Sequence, residues 1–258
     1  MFHNVLYGAV LFFCSLSVAL TKCPPSYIIA PCTCSQESNE LPDLACYGIS
    51  SVRSLSDIFA NKFPTDQFRQ IVITESQLGL LPNDVFKGKS FRDIQFSSNR
   101  KTSFKDKAIF SSSQSTLTRL SIVQETDKWQ FNADNVANFN QLNYLEISGD
   151  EMELTGTLNN PALESLVLRS FTMTKIPKLG KLPALLSFDM DGDAIASLSA
   201  ESFVSMPKLM NLYLGHNKLV SLDVHSLELP NSIIKVDLSG NIIATVQKDW
   251  MTGEFIAD

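Results

Sequence analysis

The chain has 258 residues, 44% of them hydrophobic and 19% charged, and a formal net charge of −6. That apolar content is enough for a packed core and argues against disorder. The acidic balance excludes the nucleic-acid binders, which need a basic face.

Residues 1–21 contain no Lys, Arg, Asp or Glu, and residues 5–20 are almost wholly apolar or small. This pattern predicts a secretory signal peptide over 1–21, cleaved between Ala19 and Cys23. The stretch is short for a membrane span, which takes about 20 apolar residues. No later segment is apolar enough for a membrane helix, so the mature protein is expected to be secreted, soluble and extracellular. Of five cysteines, Cys14 falls in the signal peptide, leaving Cys23, Cys32, Cys34 and Cys46. Clustered thiols at the start of a secreted chain predict two disulfides. Zinc is disfavoured, because the spacing lacks paired C-x2-C knuckles. Spacing alone leaves three connectivities open. Residues 22–66 then read as a disulfide-stapled amino-terminal cap, in which Ile49, Val52, Leu55, Ile58 and Phe59 suggest a strand followed by a short helical turn.

From Phe68 onward one set of offsets recurs: apolar, two residues, apolar, one residue, apolar, two residues, a polar or acidic residue in most copies. The copies are Phe68-Ile71-Ile73-Ser76, Phe91-Ile94-Phe96-Asn99, Leu117-Leu120-Ile122-Glu125, Leu142-Leu145-Ile147-Asp150, Leu163-Leu166-Leu168-Phe171, Leu185-Phe188-Met190-Asp193, Leu209-Leu212-Leu214-Asn217 and Ile233-Val236-Leu238-Asn241. Starts separated by 21 to 26 residues, with an L-x-x-L-x-L-x-x-N core, are the leucine-rich-repeat signature. The fold expected is an α/β leucine-rich-repeat solenoid, or horseshoe. A parallel sheet lines its concave face, the convex returns are irregular or briefly helical, and the array of about eight repeats runs over 67–258. No repeat can bury its apolar face alone, so the array should behave as one cooperative unit. No cysteine-rich carboxy-terminal cap follows Asn241, which leaves the last edge uncapped; a truncated sequence or an early stop is the simplest expectation, and an edge closed by self-association the alternative.

Each repeat's apolar-x-apolar triplet alternates like a strand, which sends its middle residue to the concave face. Val72, Gln95, Ser121, Glu146, Val167, Asp189, Tyr213 and Asp237 should therefore form one file. Arg69, Arg92 and Arg119 gather near the first strands, while Glu146, Glu164, Asp189, Asp191 and Asp237 dominate the later ones. Formal charge divides likewise, +1 up to Leu142 and −7 beyond. Two electrostatic ends of this kind would orient a protein partner, and Tyr144 and Tyr213 are the candidate anchors. His216 should lie beside Tyr213 on the same face, where a solvated role is expected; His225 is the only other histidine outside the signal peptide. Glu146, Asp189, Asp191 and Asp193 could be read as a calcium site. Yet Glu146 and Asp189 sit two strands apart, about 10 Å, so a solvated acidic face is expected, with no metal and no cofactor.

On the return side, residues 81–86, 108–110 and 198–203 should deliver Phe86, Phe110 and Phe203 to an outer aromatic spine, while Pro161 and Pro177 shorten the central returns. The post-strand Asn pairs backbone groups stranded where the chain leaves the sheet. Only Asn99, Asn217 and Asn241 satisfy that rule, with Ser76 a partial substitute, so the ladder is expected to be weakest between Glu125 and Asp193.

With its cysteine cap, the repeat core resembles extracellular leucine-rich-repeat proteins with an amino-terminal cysteine-rich flank, over nearly all of residues 23–250. That resemblance implies the pairings Cys23 with Cys34 and Cys32 with Cys46. More narrowly, Cys23-Pro24-Pro25, Pro31-Cys32-Thr33-Cys34 and the irregular repeats that follow are similar to arthropod secreted proteins named after the non-catalytic subunit of the Oplophorus luciferin 2-monooxygenase. The resemblance implies a non-enzymatic binding protein. No nucleophilic serine motif and no Gly-rich phosphate loop occurs in the sequence. The function expected is that of a secreted protein holding an extracellular protein partner on its concave face. Its rivals are a stabilising subunit of a secreted enzyme complex and an innate-immunity or adhesion module that binds glycan or a microbial surface.

Overall fold

The computed structural model describes residues 22–252, apart from 105, 107, 125–127, 171 and 225. The expected signal peptide and the positions Glu125, Phe171 and His225 lie outside the described residues.

In chain order the elements are α1 (Ser26–Ile29), β1 (Cys32–Ser35), β2 (Asp43–Tyr47), α2 (Val52–Phe59), β3 (Gln67–Thr74), β4 (Ser90–Ser97), β5 (Arg119–Gln124), β6 (Trp129–Asn132), β7 (Tyr144–Gly149) and β8 (Met152–Thr155). They continue with β9 (Ser165–Arg169), β10 (Ser187–Asp189), β11 (Asn211–Tyr213), β12 (Ser221–Leu222), β13 (Leu227–Glu228), β14 (Lys235–Asp237), β15 (Thr245–Val246) and β16 (Met251–Thr252). Ten of these strands form one sheet, in the order β1-β2-β3-β4-β5-β7-β9-β10-β11-β14. Only the β1–β2 pair is antiparallel; from β2 onward each strand pairs parallel with the next. This is the parallel-sheet solenoid the repeat offsets predict.

The flanking apolar residues of each triplet enter the core. Ile71, Ile73, Ile94, Phe96, Leu120, Ile122, Leu166, Leu168, Leu212 and Leu214 are fully buried. At the amino end, Cys32 and Cys46 face each other across β1–β2 and are joined by a disulfide, and a second bridge links Cys23 and Cys34. The Ser51 side chain caps α2 by accepting from the Ser54 N–H at 3.2 Å. Leu55, Ile58 and Phe59, at i, i+3 and i+4, place one helix face on the core.

The aromatic filling is not one continuous spine. Phe59, Phe63, Phe68, Phe86 and Phe91 form one group of touching rings, and Phe96, Phe104, Phe110, Trp129 and Phe131 form another. Phe203 is buried with no ring partner among the described residues.

The polar ladder is richer than expected. Asn99 accepts from the Ser76 N–H at 2.9 Å and donates to the Ile73 carbonyl at 2.8 Å. Asn217 does the same for Ile195 N–H and Met190 C=O, and Asn241 for Leu219 N–H and Leu214 C=O. Ser76 accepts from the Ile49 N–H and donates to the Thr74 carbonyl, and Asp193 accepts from the Ser170 N–H at 2.7 Å. In the third and fifth repeats the role moves one residue earlier. Gln124 donates to the Thr102 carbonyl at 3.1 Å and Ser170 to the Met152 carbonyl at 3.0 Å. Asn135 and Asn160, both buried, tie the return segments in the same way. The expected weakness thus narrows to the fourth repeat. There the matching place is Gly149, paired with Gln124, and a Cβ at that position would lie 2.0 Å from the Gln124 carbonyl oxygen. Asp150 is exposed and takes no part in the ladder.

A second line of backbone contacts follows the sheet along its carboxyl side. It joins repeats one to two through Ser103 N–H to Gly79 O, two to three through Phe104 N–H to Gln130 O, and three to four through the β6–β8 pair. It resumes from five to six (Ala194 to Met173), six to seven (Lys218 to Ile195) and seven to eight (Ile242 to Leu219). Between repeats four and five no such contact occurs among the described residues.

Two measurements follow. Asn217→Ala leaves a buried N–H and a buried C=O unpaired and should cost about 2 kcal/mol or more in urea unfolding, with the larger share lost if Asn99 is removed as well. Amide exchange should be fastest, among the repeat strands, over residues 149–157.

Candidate binding face

The exposed face of the ten-stranded sheet presents three files. The central one runs Val72, Gln95, Ser121, Glu146, Val167, Asp189, Tyr213, Asp237, each paired in register with the next. This is the order read from the sequence, because strands with a common apolar phase present their middle residues in line. The file two residues upstream runs Asp43, Gln70, Asp93, Arg119, Tyr144, Ser165, Ser187, Asn211, Lys235. Downstream lie Thr74, Ser97, Val123, Ser148 and Arg169.

At the centre Arg119 lies over Tyr144, with its guanidinium carbon 3.7 Å from the ring centroid. The same guanidinium is 4.0 Å from Asp93 and 3.9 Å from Glu146. Glu146 accepts from Ser121 at 2.7 Å and from the Tyr144 hydroxyl at 3.2 Å. Partial burial, reinforced by the Glu146 charge, raises the Tyr144 phenol above its ordinary pKa and keeps it a donor. Exposed ion pairs of this kind add little stability. Their effect here is to fix an aromatic ring and a cation in one geometry.

A second group lies toward the carboxyl side. Arg169 grips both oxygens of Asp189, at 3.2 and 2.5 Å. Partial burial disfavours the Arg169 charge, but the Asp189 hydrogen bonds and charge outweigh it, so its pKa ends above the usual value. Asp189 also accepts from the Asp191 N–H, and Asp191 stands 3.2 Å from His216 Nδ1. Tyr213 carries the Lys235 ammonium 4.7 Å over its ring. Asp237 accepts from both the hydroxyl and the N–H of Ser239, which lowers its pKa.

The two electrostatic ends expected from the sequence are not how the charges stand. Arg69 is bonded to Asp43, Arg119 stands between Asp93 and Glu146, and Arg169 holds Asp189. Opposite signs are interleaved across the strands. Arg92 is exposed and makes no ion pair among the described residues. Sequence reasoning missed Asp43, Asp93, Arg169 and Lys235 on this face. For the last three the signal was available: residues two apart on a strand share a face, so Asp93, Arg169 and Lys235 each lie two residues from a recognised position, Gln95, Val167 and Asp237, whereas no position on the strand of Asp43 had been recognised. Asp189 is already neutralised by Arg169, and no cluster of metal-ligating side chains occurs among the described residues.

Asp43 and Asp93 each enclose a carboxylate oxygen on this face, and the more deeply affected of the two is Asp93, whose pKa is shifted. Its Oδ1 is enclosed without a hydrogen-bond partner and burial raises its pKa, partly offset by the Gln95 hydrogen bond and Arg119. A carboxyl whose pKa is raised by folding contributes stability fully below its unfolded pKa, near 3.9, and loses it as pH climbs through the folded value. Asp237, with a lowered pKa, does the opposite. Asp93→Asn should therefore gain melting temperature relative to the parent as pH rises from 3 to 7. Asp237→Asn should lose it over the same interval, and thermal scans at several pH values check both signs.

Residues 183–243 match the family model described as leucine rich repeat. The chain is 29% identical over 210 residues to the Oplophorus-luciferin 2-monooxygenase non-catalytic subunit of Oplophorus gracilirostris, an alignment covering 80% of this chain. The chain spans 58% of that relative's length. Among solved structures, the crystal structure of the TLR13-ssRNA13 complex superposes with a TM-score of 0.53 at 14% identity, over 81% of this chain and 32% of the other. That likeness shows the fold: a leucine-rich-repeat solenoid. The Oplophorus relative is named as a non-catalytic subunit.

Proposed function

We propose that this chain is a secreted, non-enzymatic scaffold that holds an extracellular protein partner against the exposed face of its parallel sheet. The observation that carries the reading is the Arg119, Tyr144, Glu146 and Ser121 network at the middle of that face. Interfaces draw most of their energy from a few central Tyr, Trp and Arg residues, and a side chain already held in one geometry loses less entropy on docking. Tyr213 beneath Lys235 forms a second such point three strands beyond Tyr144. The interleaved charges favour selectivity for one partner orientation over raw affinity. Two disulfides near the amino end support an oxidising, extracellular setting.

The similarity to a named non-catalytic subunit supports a second reading, in which the partner is a secreted enzyme that the solenoid accompanies and stabilises. In that reading Arg92, which lacks an ion pair among the described residues, is the cation left over for the partner's carboxylates.

The test places a photo-reactive amino acid at Val167 on the sheet face, or at Gln141 on the convex side, in protein secreted from its native tissue or cells. A single stoichiometric adduct should form from Val167 and none from Gln141. With the partner in hand, Tyr144→Ala should weaken binding by about 10- to 100-fold, the effect of losing roughly 1.4 to 2.8 kcal/mol at a central anchor. Adduct formation only from Gln141 would refute the use of this face.

A further inference from the structure

The missing contact between repeats four and five leaves an opening in the side of the solenoid, with a volume of ≈ 440 Å³. Met152, Leu154, Met173 and Pro177 line its apolar part, and Lys128 and Glu153 stand at its rim. On one wall is β8. Which way its backbone points follows from two observations. Gln130 O and Asn132 N–H are spent on Phe104 in the repeat before, so Trp129 and Phe131 of β6 face β8. With β6 and β8 parallel and Phe131 opposite Leu154, Glu153 turns its backbone groups toward β6, while Met152 and Leu154 turn theirs away. Independently, the Met152 carbonyl accepts the Ser170 hydroxyl from the fifth repeat, on the side away from β6. The Leu154 N–H and C=O therefore point into the opening, and no backbone hydrogen bond joins β8 to residues 172–177.

The far wall is committed elsewhere. Met173 and Thr174 give their carbonyls to Ala194 and Ala196 of the sixth repeat. The sequence explains the lapse: the fourth repeat is the shortest, at 21 residues, and Pro177 has no N–H to offer and restricts the residue before it. The gap is bounded at both ends. Ser170 closes it toward the main sheet, and Gly180 N–H to Leu158 O closes it toward the convex side.

We propose that this opening is a docking site for a short extended peptide segment of a partner, which pairs its backbone with Leu154 and so continues the β6–β8 ladder by one strand. An unpaired N–H and C=O side by side on an open strand edge are what an extended backbone satisfies. A small molecule or a glycan offers no such matched pair at strand spacing. Met152 and Met173 are unbranched and adaptable, and suit a medium apolar side chain of that segment. The site lies apart from Tyr144 and does not depend on the sheet-face reading.

The probe is an acetylated seven-residue peptide of alternating threonine and valine with leucine at its centre, added to the intact secreted chain. Binding is read by anisotropy, and amide exchange is followed at Leu154. Saturable binding should appear, with exchange at Leu154 slowed at least tenfold. The same peptide with alternate backbone N-methyl groups should not bind. Met173→Trp, which fills the opening, should weaken binding at least tenfold, and Leu154→Pro, which removes the outward N–H without touching the β6 pairing, should do likewise; Tyr144→Ala should leave it unchanged. Circular dichroism establishes that the variants fold, and either folded variant suffices for the comparison. The proposal is overturned if Leu154 is already protected in the free chain, if no saturable binding is seen, or if N-methylation leaves binding intact.

Discussion

Where each repeat leaves the sheet, its backbone turns through apolar surroundings with N–H and C=O groups that no neighbouring strand can reach. An unpaired buried group costs about as much as several favourable contacts return, so the side chain that answers those groups decides whether the next repeat stacks. Asn serves best because one carboxamide both accepts and donates, as Asn99 and Asn217 show by joining two consecutive repeats through a single residue. In-register stacking, and hence the alignment of the exposed files, rests on this exchange as much as on the aliphatic core.

The central repeats show how far the rule bends. Moving the donor one position earlier, to Gln124 and Ser170, keeps a hydrogen bond to the preceding repeat. The fourth repeat cannot do even that. Gly149 packs so closely on Gln124 that no side chain fits, and backbone proximity replaces side-chain pairing there. The opening beside β8 lies in that same repeat, a few residues downstream. A local fault in the ladder and an open strand edge are thus two aspects of one irregularity.

The fold and the central file were legible in the sequence because both follow from phase. Aliphatic residues at fixed offsets set which side chains enter the core, and the register of Val72 through Asp237 comes with it. Contacts between files were not legible. Whether Arg119 reaches Asp93, Tyr144 or Glu146 depends on long side chains choosing among neighbours on three strands, which spacing does not encode. Charge totals misled for the same reason: a tally by halves hides that Arg69 and Arg119 touch acids of their own half, Asp43 and Asp93, and it separates Arg119 from Glu146. The post-strand rule also read too strictly, since it looked one residue past the places that Gln124 and Ser170 occupy, and it overlooked the return-side Asn135 and Asn160.

A scaffold of this kind gains its specificity from what is already fixed before a partner arrives. On the sheet face, salt-bridged pairs contribute little to stability, yet they hold Tyr144 under a cation, while Arg92 makes no ion pair among the described residues. Such a surface rejects a partner whose charges fall out of phase with the interleaved rows, because each misplaced carboxylate would meet a carboxylate already held in position. The opening at β8 selects on a different principle, backbone direction and extension rather than charge. A partner that met both would be recognised by its fold on one side and by an extended strand on the other, and the two requirements together are stricter than either alone.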